Sequence, residues 1–146
     1  MKISTRARYG LRLMLSLALN YGKGALFLSA IAKKEDISEK YLSQIIIPLK
    51  AKGLVTSLRG ARGGYMLTHS PAKITVKEIV ESLEGSLNVV ECLGSSFACK
   101  RISFCVTRNV WSLLEEKIRQ TLSGITLQDL VKMCREKEEK ASLYNI

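Results

Sequence analysis

One histidine, His69, stands in a chain of 146 residues, which leaves little for acid–base catalysis. No Cys-x-x-Cys pair, Rossmann fingerprint or Walker loop is present, and the run from Gly60 to Gly64 fits neither phosphate-binding pattern. These absences argue against an enzyme, electron-transfer proteins included. No stretch approaches the length needed to span a bilayer. The start, Met1-Lys2-Ile3-Ser4 followed by Arg6 and Arg8, lacks the form of a signal peptide. A cytoplasmic protein is expected, in which cysteines stay reduced unless they bind metal or do redox chemistry. Internal repeats and low-complexity segments are also lacking.

Acidic residues are scarce in one half only. Residues 1–68 hold 12 Lys and Arg against 3 Asp and Glu, a balance of +9, whereas residues 69–146 hold 11 against 10. A generic basic surface would spread the excess. Segregation of this kind suits a face that binds phosphates, since each neutralised phosphate releases counterions. Apolar residues make up 47% of the chain, enough for a real core and against wholesale disorder.

The basic half has a recognisable order. Thr5 to Asn20 reads as a helix apolar on most of its circumference, hence buried on several sides or packed against another subunit. Arg6, Arg8 and Arg12 crowd its N-terminal part, a poor place for cations by the dipole rule unless an anionic partner lies nearby. Ser29 is placed to cap a short helix carrying Ala30, Ile31 and Lys34. Asp36-Ile37-Ser38 then breaks the chain, with Ser38 capping a second helix. There Leu42, Ile45, Ile46 and Leu49 form one apolar stripe, leaving Lys40, Ser43, Gln44 and Lys50 opposite. Pro48 predicts a kink in its last turn or an end near Ile47, and Gly53 supplies the left-handed stop. Strand-like runs Leu54–Leu58 and Tyr65–Thr68 flank Arg59-Gly60-Ala61-Arg62-Gly63-Gly64, a glycine-rich turn with two arginines at its tip. The expected fold is mainly α with a small β-hairpin: a winged helix-turn-helix, its second helix suited to a major groove and its wing to the adjacent minor groove.

Behind the hairpin, Thr75-x-x-Glu78 is a capping box for a helix striped by Val76, Ile79, Val80 and Leu83 and ended by Gly85. Residues Ser86 to Ser103 lack periodicity. From about Thr107 to Ser123 a longer helix carries Val110, Trp111, Leu114, Ile118 and Leu122 at a spacing suited to pairing with a second copy of itself. Thr126 with Asp129 caps a last helix, and the charged tail from Arg135 is expected to fray. This divides the chain into a DNA-binding domain (1–84), a cysteine-bearing loop (85–106), a dimerisation helix with a final helix (107–137) and a charged tail (138–146).

Cys92, Cys99 and Cys105 follow one another with six and five residues between neighbours. Three thiols on one loop can converge on zinc, Cu(I) or an iron–sulfur cluster. Their spacing matches neither zinc-finger pairs nor common ferredoxin runs, so three unrelated thiols remain the alternative. Cys134 falls on an apolar face and reads as core, and His69 as a surface residue.

Taken together, these motifs resemble the IscR-like iron–sulfur regulators, bacterial winged-helix repressors that act as dimers. The likeness covers the chain to about residue 133. It rests on Arg8-Tyr9-Gly10, Tyr41-Leu42-x-Gln44, Gly53-Leu54-Val55-x-Ser57, Arg59-Gly60-x-x-Gly63-Gly64-Tyr65, the three cysteines, Trp111 and Ile125-Thr126-Leu127. The resemblance implies a cluster, usually 2Fe–2S, on Cys92, Cys99 and Cys105, with the long helix behind them making the dimer. It also implies that the state of the cluster changes DNA affinity or site choice. Two departures stand out. Arg108 occupies the position of the family's histidine ligand, and Arg8 that of an acidic ligand donated by the partner in some relatives. The fourth ligand is thus open among Glu91, a loop serine such as Ser103, and an external thiol. Ser43 stands where a glutamate reads bases in well-known members.

The expected function is a homodimeric transcription regulator of double-stranded DNA, bound at a pseudo-palindromic operator with half-sites about one helical turn apart. Ser38, Lys40, Tyr41, Ser43, Gln44, Arg59, Arg62 and Gly63 form the expected DNA-binding set. Within it Ser43 and Gln44 face base edges, Lys40 and Tyr41 touch phosphates, and Arg59 and Arg62 probe the minor groove. Tyr41 suits the core equally well. The alternative is a regulator of the same fold without a cluster, answering to thiol oxidation, a metabolite or a partner protein.

Overall fold

Helix α1 (Thr5–Leu19) is the centre of the chain's packing in the computed structural model, which describes residues 2–97 and 99–145. Ser4 starts it, its hydroxyl accepting from the Ala7 amide at 3.1 Å. Ala7, Gly10, Leu13, Met14, Ser16, Leu17 and Ala18 are buried, more than one stripe, as its apolar circumference predicts. Gly10 has a packing reason: a Cβ there would lie 2.1 Å from Leu83 Cδ1 and 3.3 Å from Ile45 Cγ2. The missing side chain lets α1 approach two other helices at once.

The helix pair follows. Helix α2 (Leu28–Glu35) begins one residue before Ser29, with Phe27 at the cap position and no side-chain cap bond. Ser29 therefore lies inside the helix, not at its start. The chain's path is set instead by a bridge between Leu26 and Tyr65, whose amides exchange hydrogen bonds at 2.9 and 2.7 Å. Asp36 turns the corner in the left-handed region at φ 53°, which Asp tolerates better than most residues. Helix α3 (Glu39–Ala51) is capped by Ser38 through the Tyr41 amide at 3.2 Å, and buries Leu42, Ile45, Ile46 and Leu49. It runs on through Pro48, so the alternative end near Ile47 does not occur. Its C-terminus closes as expected. Gly53 sits at φ 73° and donates to the Lys50 carbonyl at 2.9 Å, and Leu54 donates to that of Leu49 at 3.1 Å, the paired bonds of a Schellman stop.

Strands β1 (Val55–Leu58) and β2 (Gly64–Leu67) pair antiparallel, with Val55 opposite Leu67 and Leu58 opposite Gly64. Helix α4 (Val76–Glu84) starts on the complete Thr75–Glu78 capping box and stops at Gly85, φ 83°. A four-residue turn, α5 (Glu91–Gly94), and a 3-10 turn at Ile102–Phe104 give the cysteine loop more regular structure than its sequence suggests.

Helix α6 (Val106–Ser123) contains no buried residue, whereas α7 (Leu127–Tyr144) puts Leu127 and Val131 into the core. The start of α7 is stitched to that of α4: Val76 donates to Ile125 at 2.8 Å and Leu127 to Ile74 at 2.9 Å. Beyond Arg135 the apolar stripe ends but the helix continues to Tyr144, where a fraying tail is expected. Residues of high helix propensity, Glu, Lys, Arg and Ala, keep it going without a packed face. One main core joins α1 to α4, the hairpin, Leu127 and Val131. No helix of the described residues is long and apolar enough to cross a membrane.

Candidate nucleic-acid interface and cysteine loop

The buried stripe of α3 turns its other side outward. Lys40, Ser43, Gln44 and Lys50 are exposed there, as the periodicity predicts. Ile47 joins them, 64% exposed and one turn beyond Gln44. Ser43 donates its hydroxyl proton to the Glu39 carbonyl at 2.7 Å, which leaves its lone pairs facing outward as an acceptor. Ser38 uses its oxygen for the helix cap. Tyr41 is half-buried and packs against the main core, its ring edge-on to Tyr9 with centroids 5.9 Å apart. Of the two roles open to it, the core contact is the one present.

At the wing tip Arg59 and Arg62 are exposed, and Gly63 is buried. The Gly63 amide donates to the Gly60 carbonyl at 2.9 Å, and a Cβ on Gly63 would lie 2.5 Å from the Leu58 carbonyl oxygen. Its part in this arrangement is to shape the tip that carries the two arginines. Gly64, at φ 124°, lies equally close to the backbone: a Cβ would come within 2.4 Å of the Leu26 carbonyl oxygen. Lys50 joins helix to wing, its Nζ 3.1 Å from Ser57 Oγ and 5.9 Å from the centre of the Tyr65 ring. Such cation–ring contacts contribute about 0.5–1 kcal/mol at exposed sites. Periodicity marks Lys50 as outward-facing but cannot show that its charge is engaged by the wing.

One carboxylate accounts for part of the arginine crowding on α1, and a second sits at the helix start. Arg12 pairs with Glu35 at 3.0 Å, lies over the Tyr9 ring, and Glu35 also accepts from buried Ser16 at 3.0 Å. The second is Glu84, accepting from the Ser4 amide at 3.1 Å, where negative charge favours the helix dipole. Arg6 and Arg8 remain exposed.

The base of the cysteine loop is clamped. Arg119 reaches Glu115 at 3.1 Å, Glu81 at 3.6 Å and Asn88 at 3.5 Å, and the Val89 amide donates to Glu115 at 3.3 Å. Above this clamp Cys92 and Cys105 are half-buried and Cys99 is exposed, all as free thiols. A hydrogen bond with the Thr107 hydroxyl, then one from the Arg108 backbone, holds the Cys105 thiol below its ordinary pKa. Arg108 donates to the Cys92 carbonyl at 3.3 Å, and its Nε is buried without a hydrogen-bond partner. Among the described residues no three His, Cys, Asp or Glu side chains form a group that could hold a metal ion. The donor set, three thiols, suits an iron–sulfur centre in kind. The loop does not gather those thiols, and a guanidinium stands at the point where a histidine ligand is expected. Glu91 and Ser103 are exposed on the same loop. Cys134, read as core, is only half-buried on α7, with Glu138 Oε1 3.9 Å away.

Comparison with known proteins gives a consistent result. The family model Rrf2, described as an iron-dependent transcriptional regulator, matches residues 3–133. CymR of Bacillus subtilis is 38% identical over 144 residues, 99% of each chain. The structure of that protein, described as the global cysteine regulator of B. subtilis, superposes with a TM-score of 0.78 over 91% of this chain and 98% of that one. IscR of T. potens superposes with a TM-score of 0.79 at 38% identity, covering 94% and 90%. Staphylococcus aureus CymR in its oxidized form gives 0.71 at 37% identity, covering 90% and 96%. These relatives are transcriptional regulators, not enzymes, and they share the mainly helical winged fold with its antiparallel hairpin.

Proposed function

We propose, from the premise that the chain belongs to the Rrf2 family of transcriptional regulators, that it is a homodimeric repressor whose grip on DNA is set by its cysteine loop. The observation that carries the DNA-binding part is the shared outward face of α3 and the wing. Lys40, Ser43 and Gln44 lie on one and Arg59 and Arg62 on the other, all exposed, in the half of the chain with a balance of +9. Ser43 and Gln44 meet base edges, and Lys40 and the wing arginines meet backbone and minor groove. Dimerisation is supported by α6, which exposes Val106, Val110, Trp111 and Leu113. Further along the same helix Ile118 and Leu122 line a groove of about 410 Å³ with Ile3 of the N-terminal segment. Two such subunits would address a pseudo-palindromic operator.

Cys92, Cys99 and Cys105 would hold a 2Fe–2S cluster once the loop rearranges to gather them, with the fourth ligand supplied from elsewhere than Arg108. Such a cluster would supply the loop with a redox-responsive group. A second reading, thiol oxidation without a cluster, is favoured by the ungathered thiols and by likeness to a CymR solved in an oxidized form. Anaerobic purification with iron and sulfide analysis, followed by operator selection with loaded and metal-free protein, separates them. A coloured protein that loses its chromophore on Cys92→Ser supports the cluster. A colourless protein whose DNA affinity shifts with a thiol oxidant supports the second reading. Failure of either form to select any duplex removes the DNA-binding proposal itself.

A further inference from the structure

We propose that Ile47 reads the methyl group of a thymine in the major groove, and so is a specificity-determining residue that works beside Gln44. The inference rests on the DNA-binding reading given above.

Four apolar residues of α3 form the buried stripe, and Ile47 is not among them: it is 64% exposed. It follows Lys40, Ser43 and Gln44 at intervals of seven, four and three residues, and precedes Lys50 by three, so it lies within their outward row. Isolated surface hydrophobics are ordinary, but this one is set in the middle of the helix face that the fold presents to DNA. The charge around it selects the occupant. Lys40 and Lys50 flank it on the helix, Lys52 follows, and Arg59 and Arg62 stand on the wing. A second copy of this face would bring like charges together, whereas a polyanion complements it.

Within a major groove the apolar feature open to such a side chain is the C5-methyl of thymine, and Gln is suited to the N6 and N7 edge of adenine. Ile47 lies three residues past Gln44, about 4.5 Å along the helix axis. That is between one and two base-pair steps of about 3.4 Å. Each half-site should therefore carry a thymine one or two positions from the base that Gln44 meets. Ser43, whose proton is committed to Glu39, contributes acceptance only and leaves discrimination at the neighbouring position to the methyl contact.

The test uses the full-length protein and its own selected operator, with each thymine replaced singly by uracil, which removes the methyl and nothing else. Wild type should lose affinity about fourfold at one thymine per half-site, the effect of one buried methyl-sized group. Ile47→Ala should bind the intact operator more weakly than wild type and be indifferent to that uracil, with Ile47→Val between the two. Circular dichroism should show both variants folded, since the side chain is largely exposed and outside the buried stripe. Wild type indifferent to every uracil overturns the inference, as does an Ile47→Ala variant that keeps the same uracil sensitivity. If DNA is bound and only these outcomes fail, the regulator reading stands without it. If no duplex is bound at all, both fall.

Discussion

Leu42 in α3 and Leu113 in α6 are the same residue on helices of similar kind, yet Leu42 is wholly buried and Leu113 is 68% exposed. The contrast extends to their surroundings. Helix α3 is locked between α1, α4 and the hairpin, capped at Ser38 and closed by a Schellman stop. Helix α6 rests against α4 with half-buried side chains, is clamped near Arg119, and exposes Trp111 with its apolar neighbours. The half that carries α3 and the wing is thus completed by intramolecular packing. The rear half has apolar surface left over, and its cysteine segment is held by the Arg119 clamp at its base and by the Arg108 bond to the Cys92 carbonyl. A rigid reader joined to an unfinished rear is the arrangement expected if partners at the rear adjust what the front does.

Replacing a leucine in each region tests this contrast most strongly. Leu42→Ala should reduce unfolding stability by about 2–5 kcal/mol, transfer and cavity terms together. Leu113→Ala should stay within about 0.5 kcal/mol in the monomer. Urea unfolding at low protein concentration measures both, and equal losses would mean that α6 is packed after all. Next in size is the effect on assembly. Trp111→Ala should weaken self-association by about 2 kcal/mol, near 30-fold, if Trp111 anchors the interface. Sedimentation should show dissociation with the α-helical signal retained. An unchanged dimer would place the interface elsewhere, and a fall in helicity would mean that Trp111 supports the fold itself.

The same contrast governs how much was legible in the sequence. Where local chemistry and packing agree, the reading succeeds: the caps at Ser38, Thr75 and Thr126, the stripe of α3, the stop at Gly53 and the hairpin all stand. At α2 they disagree. Ser29 is a good cap by type, but pairing of Leu26 with Tyr65 fixes the backbone from outside and starts the helix earlier. A bridge between residues so far apart in sequence leaves no local signature. The tail from Arg135 differs for the opposite reason: its apolar stripe ends, but propensity alone carries α7 onward to Tyr144. Ile47 is apolar by type, which points it toward the core, yet its offset from the stripe of Leu42, Ile45, Ile46 and Leu49 marks it as outward-facing. The cysteine spacing gives donor types but not their convergence, which depends on a loop with little local preference.

The smallest expected effect lies at the seam between the two halves, where Thr126 and Asp129 start α7 beside the start of α4. The Asp129 carboxylate accepts from the Thr126 amide at 2.9 Å, while the Thr126 hydroxyl accepts from the Asp129 amide at 3.2 Å. The backbone bond first, and the hydroxyl second, hold the Asp129 carboxyl below its ordinary pKa. A depressed folded-state value means that Asp129 stabilises the fold fully above the unfolded value, about 3.9. That contribution declines as pH falls through the lower folded value. Thr126→Ala should lower stability by about 1 kcal/mol at neutral pH, as for other lost caps. Asp129→Ala should be destabilising at pH 7 and converge on wild type under acid, read as unfolding midpoints across pH. A gap that persists unchanged to the lowest pH would show that Asp129 acts through packing rather than charge. The seam would then depend on Leu127, buried in the main core, and on its amide bond to Ile74.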